Sequence, residues 1–171
     1  MTNALNKFYR FLMGLSCLAM LAAFASIMLG VAARELHWDI QGLDAYAGYA
    51  IAATLFLALP GTLKHGDHIR VTLVMQRLSP RSQSLLEYWC LIFATALSAY
   101  LAWFVCRLVW VSYITHDVSP SADASPLWIP QITMALGCAG LAMSFAHALW
   151  ARWSGQTFFD EHAEGEIAKV E

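Results

Sequence analysis

Charged side chains are scarce in this chain of 171 residues, because Asp, Glu, Lys and Arg together form only 13% of it. That is about half of the charged fraction that is usual for soluble domains, whereas 59% of the residues are hydrophobic. The net charge of −2 argues against nucleic-acid binding, which needs a basic surface to meet phosphates. The composition therefore indicates a membrane protein with short loops and without a large soluble domain.

The chain also lacks two patterns that would point to chemistry. No two of its four cysteines stand in a C-x-x-C spacing, and all four lie in apolar stretches, so we expect them to act as small hydrophobic side chains. The centres of the first and last apolar stretches hold no acidic or basic residue. A proton-coupled exporter would carry a carboxylate there, and a solute transporter would show broken helices or repeated halves. The chain alone does not have the pattern of a pump.

Long apolar stretches are what the sequence does contain. Residues 11–33 are free of charge, and at ~1.5 Å per residue such a helix is about 35 Å long, enough to cross a bilayer core of ~30 Å. A cleaved signal peptide ending near Ala33 is the alternative, but its apolar core would be only ~7–15 residues long. Further spans are predicted over residues 43–63, within a helix over 80–114, and over 127–150.

A short amphipathic helix is predicted between the second and third spans, over residues 68–78. Val71, Val74 and Leu78 share one face of this helix, whereas Arg70 and Arg77 lie off that face. About ten residues cannot cross a bilayer, so we expect this helix to lie at the membrane surface. The predicted fold is an all-α membrane protein with four transmembrane helices plus this short interfacial amphipathic helix. A single domain over residues 1–153 is followed by an acidic, disordered cytoplasmic tail over 154–171.

Lys and Arg in the short connections predict the orientation. The N-terminus carries Lys7 and Arg10, the connection after the second span carries four basic residues, and Arg152 follows the fourth span. The connection after the third span has none. Both termini are therefore predicted to face the cytoplasm.

Small residues recur at four-residue spacing in two spans, where they would let helices approach closely in lipid. They are Ala22, Ser26 and Gly30 in the first span and Gly140, Ser144 and Ala148 in the fourth. These stripes pack either the chain's own helices or a partner, and both interpretations indicate a structural unit.

Histidines near the predicted cytoplasmic surface leave a second interpretation open. His65 and His68 stand three residues apart with Asp67 between them, and His147 is expected near the same surface. They are either polar residues at headgroup level or ligands of a metal or haem. A haem- or quinone-associated membrane anchor of an oxidoreductase is the alternative function.

The polar segment after the second span carries a family motif. Its residues Gly66-Asp67-His68-Ile69-Arg70-Val71 match a G-x-H-I-x-V segment, and the chain thereby resembles the small membrane subunit of TRAP transporters, the DctQ-type permease. Trp38, the segment Asp44-Ala45-Tyr46 and residues 125–130 support the resemblance, which covers about residues 10–150. The family often shows an acidic pair at the start of the second span, where this chain has only Asp44.

The resemblance implies a partner system without an enzyme activity or a cofactor. Proteins of this family work in the bacterial inner membrane, surrounded by lipid, with a large permease subunit that holds the substrate and sodium sites. A periplasmic solute-binding protein delivers carboxylates, and the small subunit is expected to steady the large one while its transport domain moves. The residues expected to contact a partner or to organise the cytoplasmic junction are Asp44, Gly66, His68, Arg70, Arg77 and Arg107.

Overall fold

The computed structural model describes residues 2–38, 40–64, 80–121 and 123–154. Within these ranges the chain forms four helices and no β-strand. The helices are α1 (Thr2–Glu35), α2 (Leu43–Lys64), α3 (Pro80–Ile114) and α4 (Trp128–Trp153). An isolated antiparallel bridge joins Val118 to Pro126 in the connection before α4.

All four helices are long and apolar enough to cross a membrane, over Leu5–Glu35, Leu43–Lys64, Ser84–Ile114 and Trp128–Trp153. The prediction of an all-helical protein with four such helices is confirmed. The interfacial helix predicted over residues 68–78 lies outside the described residues and has no support from the structure. The tail beyond residue 154 also lies outside them.

The helices pack in the spatial order α1, α2, α4, α3. Helix α2 contacts α1 on one side and α4 on the other, and α4 also packs against α3. Helices α2 and α4 therefore form the middle of the bundle, whereas α1 and α3 lie at its two flanks. Since the helices alternate in direction, one end of the bundle holds the α1–α2 turn and the α3–α4 connection, and we call it the loop end.

The core contains few large side chains. Leu12 of α1 packs with Ala53 and Leu57 of α2, and partly buried Phe8 and Leu15 lie against this cluster. Pro60 is fully buried, although α2 continues beyond it to Lys64. The helices are therefore held by close backbone approach as well as by apolar contact, as is usual in lipid.

The cysteines occupy two environments. Cys138 is buried between the helices, whereas Cys17, Cys90 and Cys106 lie on outer helix surfaces. We expected all four to act as small hydrophobic side chains, and only Cys138 does so within the core of the described chain.

Candidate functional site

Helices α2 and α4 approach each other closely along a seam. A β-carbon built on Gly137 would lie 2.3 Å from the carbonyl oxygen of Phe56, so the two backbones touch here. One turn further along α4, a β-carbon on Gly140 would lie 2.7 Å from Cγ of Pro60 and 3.0 Å from Cδ1 of Leu12. Three helices therefore meet at Gly140, which explains why this position has no side chain.

The predicted small-residue stripe of α4 lies in this seam. Gly140, Ser144 and Ala148 are all buried, so the stripe packs the chain's own helices. In the stripe of α1, Ser26 and Gly30 are half-buried whereas Ala22 is exposed. The buried residues of α1 follow a 3.5-residue period instead of a strict four-residue one, and Ala22 therefore falls beside buried Ala23.

A polar contact also joins α1 to α2 inside the bundle. The Ser16 hydroxyl donates to the carbonyl oxygen of Thr54 at 2.8 Å, and Ser16 is buried. The Thr54 hydroxyl in turn donates to the carbonyl oxygen of Ala50 within α2. The first contact crosses between helices and therefore fixes the position of α1 along α2.

Asp44 lies in an ion pair at the loop end. The Arg34 guanidinium donates to both carboxylate oxygens of Asp44 at 3.2 and 3.3 Å. The turn between them has left-handed backbone at His37 (φ 56°) and Gly42 (φ 85°). The two side chains remain 74% and 88% exposed, so the pair stabilises the α1–α2 turn only weakly. Asp44 thus has a contact within its own chain.

The connection before α4 folds back over the start of α2. The Tyr49 hydroxyl donates to Oγ of Ser119 at 2.6 Å, and a β-carbon on Gly42 would lie 2.9 Å from Cγ of Asp123. The Ser121 hydroxyl donates to Oδ1 of Asp123. Hydrogen bonds from Ser121 and then Tyr46 lower the pKa of Asp123 below its ordinary value. This network ties the α3–α4 connection to α2.

A small cleft opens beside this network. Its volume is about 270 Å³, and Arg34, Trp38, Asp44 and Ser121 are among the residues that line it. Its charged groups already form the exposed Arg34–Asp44 pair. Among the described residues that line the cleft, no charged side chain is left unpaired.

The opposite end of the bundle joins α3 to α4. The Arg152 guanidinium lies 2.6 Å from Oε2 of Glu87, and these side chains are 44% and 30% exposed. The same guanidinium lies 5.7 Å from the centre of the Tyr88 ring. The Tyr88 hydroxyl donates to the carbonyl oxygen of Arg152 at 3.3 Å. The sequence places Arg152 after the fourth span, but its ion pair with Glu87 forms only because α3 packs beside α4.

Of the six residues predicted to contact a partner or form the junction, the structure describes Asp44 and Arg107. Arg107 is exposed on α3 and forms no hydrogen bond or ion pair with any residue that the structure describes. Gly66, His68, Arg70 and Arg77 lie outside the described residues. Sequence reasoning missed Gly137, although it stands three residues before Gly140 and extends the same stripe.

A family model decides what kind of protein this is. The model described as "Tripartite ATP-independent periplasmic transporters, DctQ component" matches residues 23–155. This match covers well over half of the chain and contains α2, α3 and α4 completely. The chain belongs to the DctQ family. No curated protein and no solved structure matches it significantly.

Membership of the DctQ family confirms the predicted resemblance to the small permease subunit of TRAP transporters. This DctQ protein is a multi-pass membrane component of a transporter, and its family implies association with other TRAP components. The haem- or quinone-associated anchor is not supported. Among the described residues, no three His, Cys, Asp or Glu side chains lie together as metal ligands would.

Proposed function

We propose that this DctQ subunit is a scaffold that steadies the large permease subunit during sodium-coupled uptake of a carboxylate. The observation that supports this role most is the backbone contact between Gly137 and Phe56. Two helix backbones in direct contact resist sliding along each other, because a close-packed protein interior has no free space into which atoms can shift. A subunit built this way suits a fixed wall better than a moving gate.

Polar contacts at both ends of the bundle support the same role. The loop end is tied by the Tyr49–Ser119 hydrogen bond, and the other end is tied by the Arg152–Glu87 ion pair. The first contact ties α2 to the α3–α4 connection and the second ties α3 to α4, while the Ser16–Thr54 hydrogen bond ties α1 to α2. The scaffold would therefore keep one shape while the large subunit changes its own.

We also propose an orientation with both termini in the cytoplasm, in a bacterial inner membrane. Among the described residues, Lys7, Lys64 and Arg152 lie at the end of the bundle opposite the loop end. The loop end carries Arg34 together with several acidic side chains, which are Glu35, Asp44, Asp117 and Asp123. This distribution follows the preference for Lys and Arg on the cytoplasmic side.

The segment between α2 and α3 is the proposed cytoplasmic junction with the large subunit. We propose that His68, Arg70 and Arg77 organise it and that Gly66 permits the turn into it. The family motif and the basic charge of the segment support this proposal. Alanine at His68 and Arg70 is expected to weaken association of the subunits and uptake. Unchanged association and uptake would contradict this role.

Reconstitution with omission of single components tests the proposed function. The full chain and the large subunit are reconstituted into proteoliposomes with a sodium gradient, and the periplasmic binding protein is added outside. Uptake of candidate carboxylates is then measured. Uptake is expected only when both membrane subunits are present, and the two should purify together. Sodium-driven uptake by this chain without the large subunit would contradict the scaffold role, and so would full uptake by the large subunit alone.

A further inference from the structure

Helix α3 is the flanking helix with the most unusual outer face. Residues Ser98, Val105 and Ser112 are buried toward the bundle. On the opposite side of the helix a stripe of large side chains follows a spacing of three, four or seven residues. This stripe, the α3 outer face, consists of Trp89, Phe93, Tyr100, Trp103, Arg107 and Trp110. Its aromatic members are 63% to 70% exposed.

Helix α1 shows what an ordinary outer face looks like in the same molecule. Its exposed side chains include Leu21, Phe24, Met28 and Val31, and the whole stretch over residues 11–33 is uncharged. Apolar side chains without hydrogen-bonding groups suit contact with lipid tails. The α3 outer face differs in both respects, because it is rich in Trp and Tyr and contains a cation.

Tyr100 of the α3 outer face lies deeper than an interfacial belt. Tyr100 stands about 20 Å from Glu87 and about 10 Å from Arg107 along the axis, at ~1.5 Å per residue. Neither the Tyr100 hydroxyl nor the Trp103 ring nitrogen forms a hydrogen bond with the described residues. Lipid tails offer the Tyr100 hydroxyl no acceptor, whereas a protein surface does.

Arg107 supplies the charge that selects a partner. A guanidinium is always protonated and best satisfied by a carboxylate in the fork geometry. Arg107 is on the exposed stripe and has no ion pair within the described chain, unlike Arg34 and Arg152. Arg, Trp and Tyr are also the residue types that dominate the energy of protein interfaces.

We propose that the α3 outer face docks a transmembrane helix of the large TRAP subunit that carries a carboxylate at the depth of Arg107. This proposal rests on the proposed function and names the surface through which it acts. A second copy of this chain fits less well, because a twofold axis normal to the membrane would bring two Arg107 side chains together at one depth. A lipid phosphate would satisfy Arg107 but leaves the deeper Tyr100 hydroxyl without an acceptor.

Photocrosslinking distinguishes whether the large subunit, a second copy of this chain or lipid covers the α3 outer face. A benzoylphenylalanine replaces Phe93 on α3 or, as the matched control, Phe24 on α1, which are 67% and 63% exposed. The full chain is produced with the large subunit in native membranes and irradiated. We expect an adduct with the mass of this chain plus the large subunit from position 93 and none from position 24. An adduct of two copies of this chain, or only a lipid adduct at position 93, overturns the proposal.

The two proposals fail in different ways. If the wild-type chain purifies with the large subunit but the crosslink forms from position 24 and not from position 93, the docking surface is wrong and the proposed function stands. If the wild-type chain does not purify with the large subunit, both are wrong. The purification uses the wild-type chain, so its outcome does not depend on a variant that could fail to fold.

Two pairs of variants test the energetics of the docking surface. Arg107→Glu should reduce the recovered large subunit by about ten-fold, as expected for breaking a desolvated charge pair, whereas Arg107→Lys should retain most of it. Trp103→Ala should reduce recovery, whereas Trp150→Ala should not, although these Trp side chains are 70% and 69% exposed. Equal recovery from Arg107→Glu and the wild type, with normal elution of the chain, overturns the proposal.

Discussion

A single methyl group at Gly137 should force helices α2 and α4 apart. The β-carbon of Gly137→Ala would lie 2.3 Å from the carbonyl oxygen and 2.5 Å from the carbonyl carbon of Phe56. Ordinary contact begins at 3.4 Å, so the two helices must separate by about 1 Å. The obstacle is backbone, which cannot change rotamer as a side chain could. Overpacking of this kind costs about 1–3 kcal/mol.

The expected net effect of Gly137→Ala is smaller than the packing cost. Replacing Gly by Ala inside a helix is worth roughly 0.5–1 kcal/mol in favour of folding. We therefore expect Gly137→Ala to lower the free energy of unfolding by about 1–2 kcal/mol. Gly48→Ala is the matched control, because a β-carbon at Gly48 of α2 meets nothing within 4 Å. This variant should be as stable as the wild type or more stable.

Thermal unfolding of the purified full chain in detergent measures the difference. Circular dichroism reports the loss of helix, and size-exclusion elution after heating reports the fraction that stays monodisperse. Gly137→Ala should lower the midpoint relative to both the wild type and Gly48→Ala. A midpoint for Gly137→Ala equal to that of Gly48→Ala would refute the described contact between α2 and α4.

Three further perturbations address single contacts. Ser16→Ala removes a hydrogen bond between helices and should lower the free energy of unfolding by about 0.6 kcal/mol. Ser98→Ala removes a hydrogen bond within one helix, so it should lower the midpoint less in the same thermal assay. Glu87→Gln breaks a half-buried ion pair and should lower the unfolding midpoint more than Asp44→Asn, whose ion pair is exposed; equal effects would contradict the difference in burial. Because the pKa of Asp123 is lowered in the folded chain, the ionised carboxylate stabilises the α3–α4 connection. This stabilisation is fully present above the unfolded pKa of about 3.9 and is lost as the pH falls through the lower folded pKa. Hydrogen exchange should therefore show the connection loosening as the pH falls below about 4, and Asp123→Asn should lack that dependence.

The spans were predictable because burial in lipid imposes a pattern on the local sequence. The predicted second span over residues 43–63 and the helix over 80–114 agree closely with α2 and α3. Helix α1 begins at Thr2 rather than near residue 11. A search for uncharged apolar stretches detects only the part of a helix that crosses the lipid. Helix α1 extends beyond that part into the polar sequence that precedes residue 11.

The contacts between helices were less predictable because they depend on which helices are neighbours. Glu87 and Arg152 are far apart in the chain and meet only because α3 packs beside α4. A template of four-residue spacing found Gly140 but missed Gly137, which follows the same face at a spacing of three. Helical projection of α3 alone would have revealed the stripe that contains Trp103 and Arg107.

If this subunit keeps its shape while the large subunit moves, the distance between α1 and α4 should stay constant during transport. Spin labels are placed on Leu21 of α1 and Met143 of α4, both exposed, in a chain whose native cysteines are replaced by Ala. The labelled chain is reconstituted with the large subunit, and the distance distribution is recorded with and without sodium, binding protein and carboxylate. A subunit of fixed shape should give one unchanged distance distribution in every condition. A second distance that is populated only during uptake would contradict it.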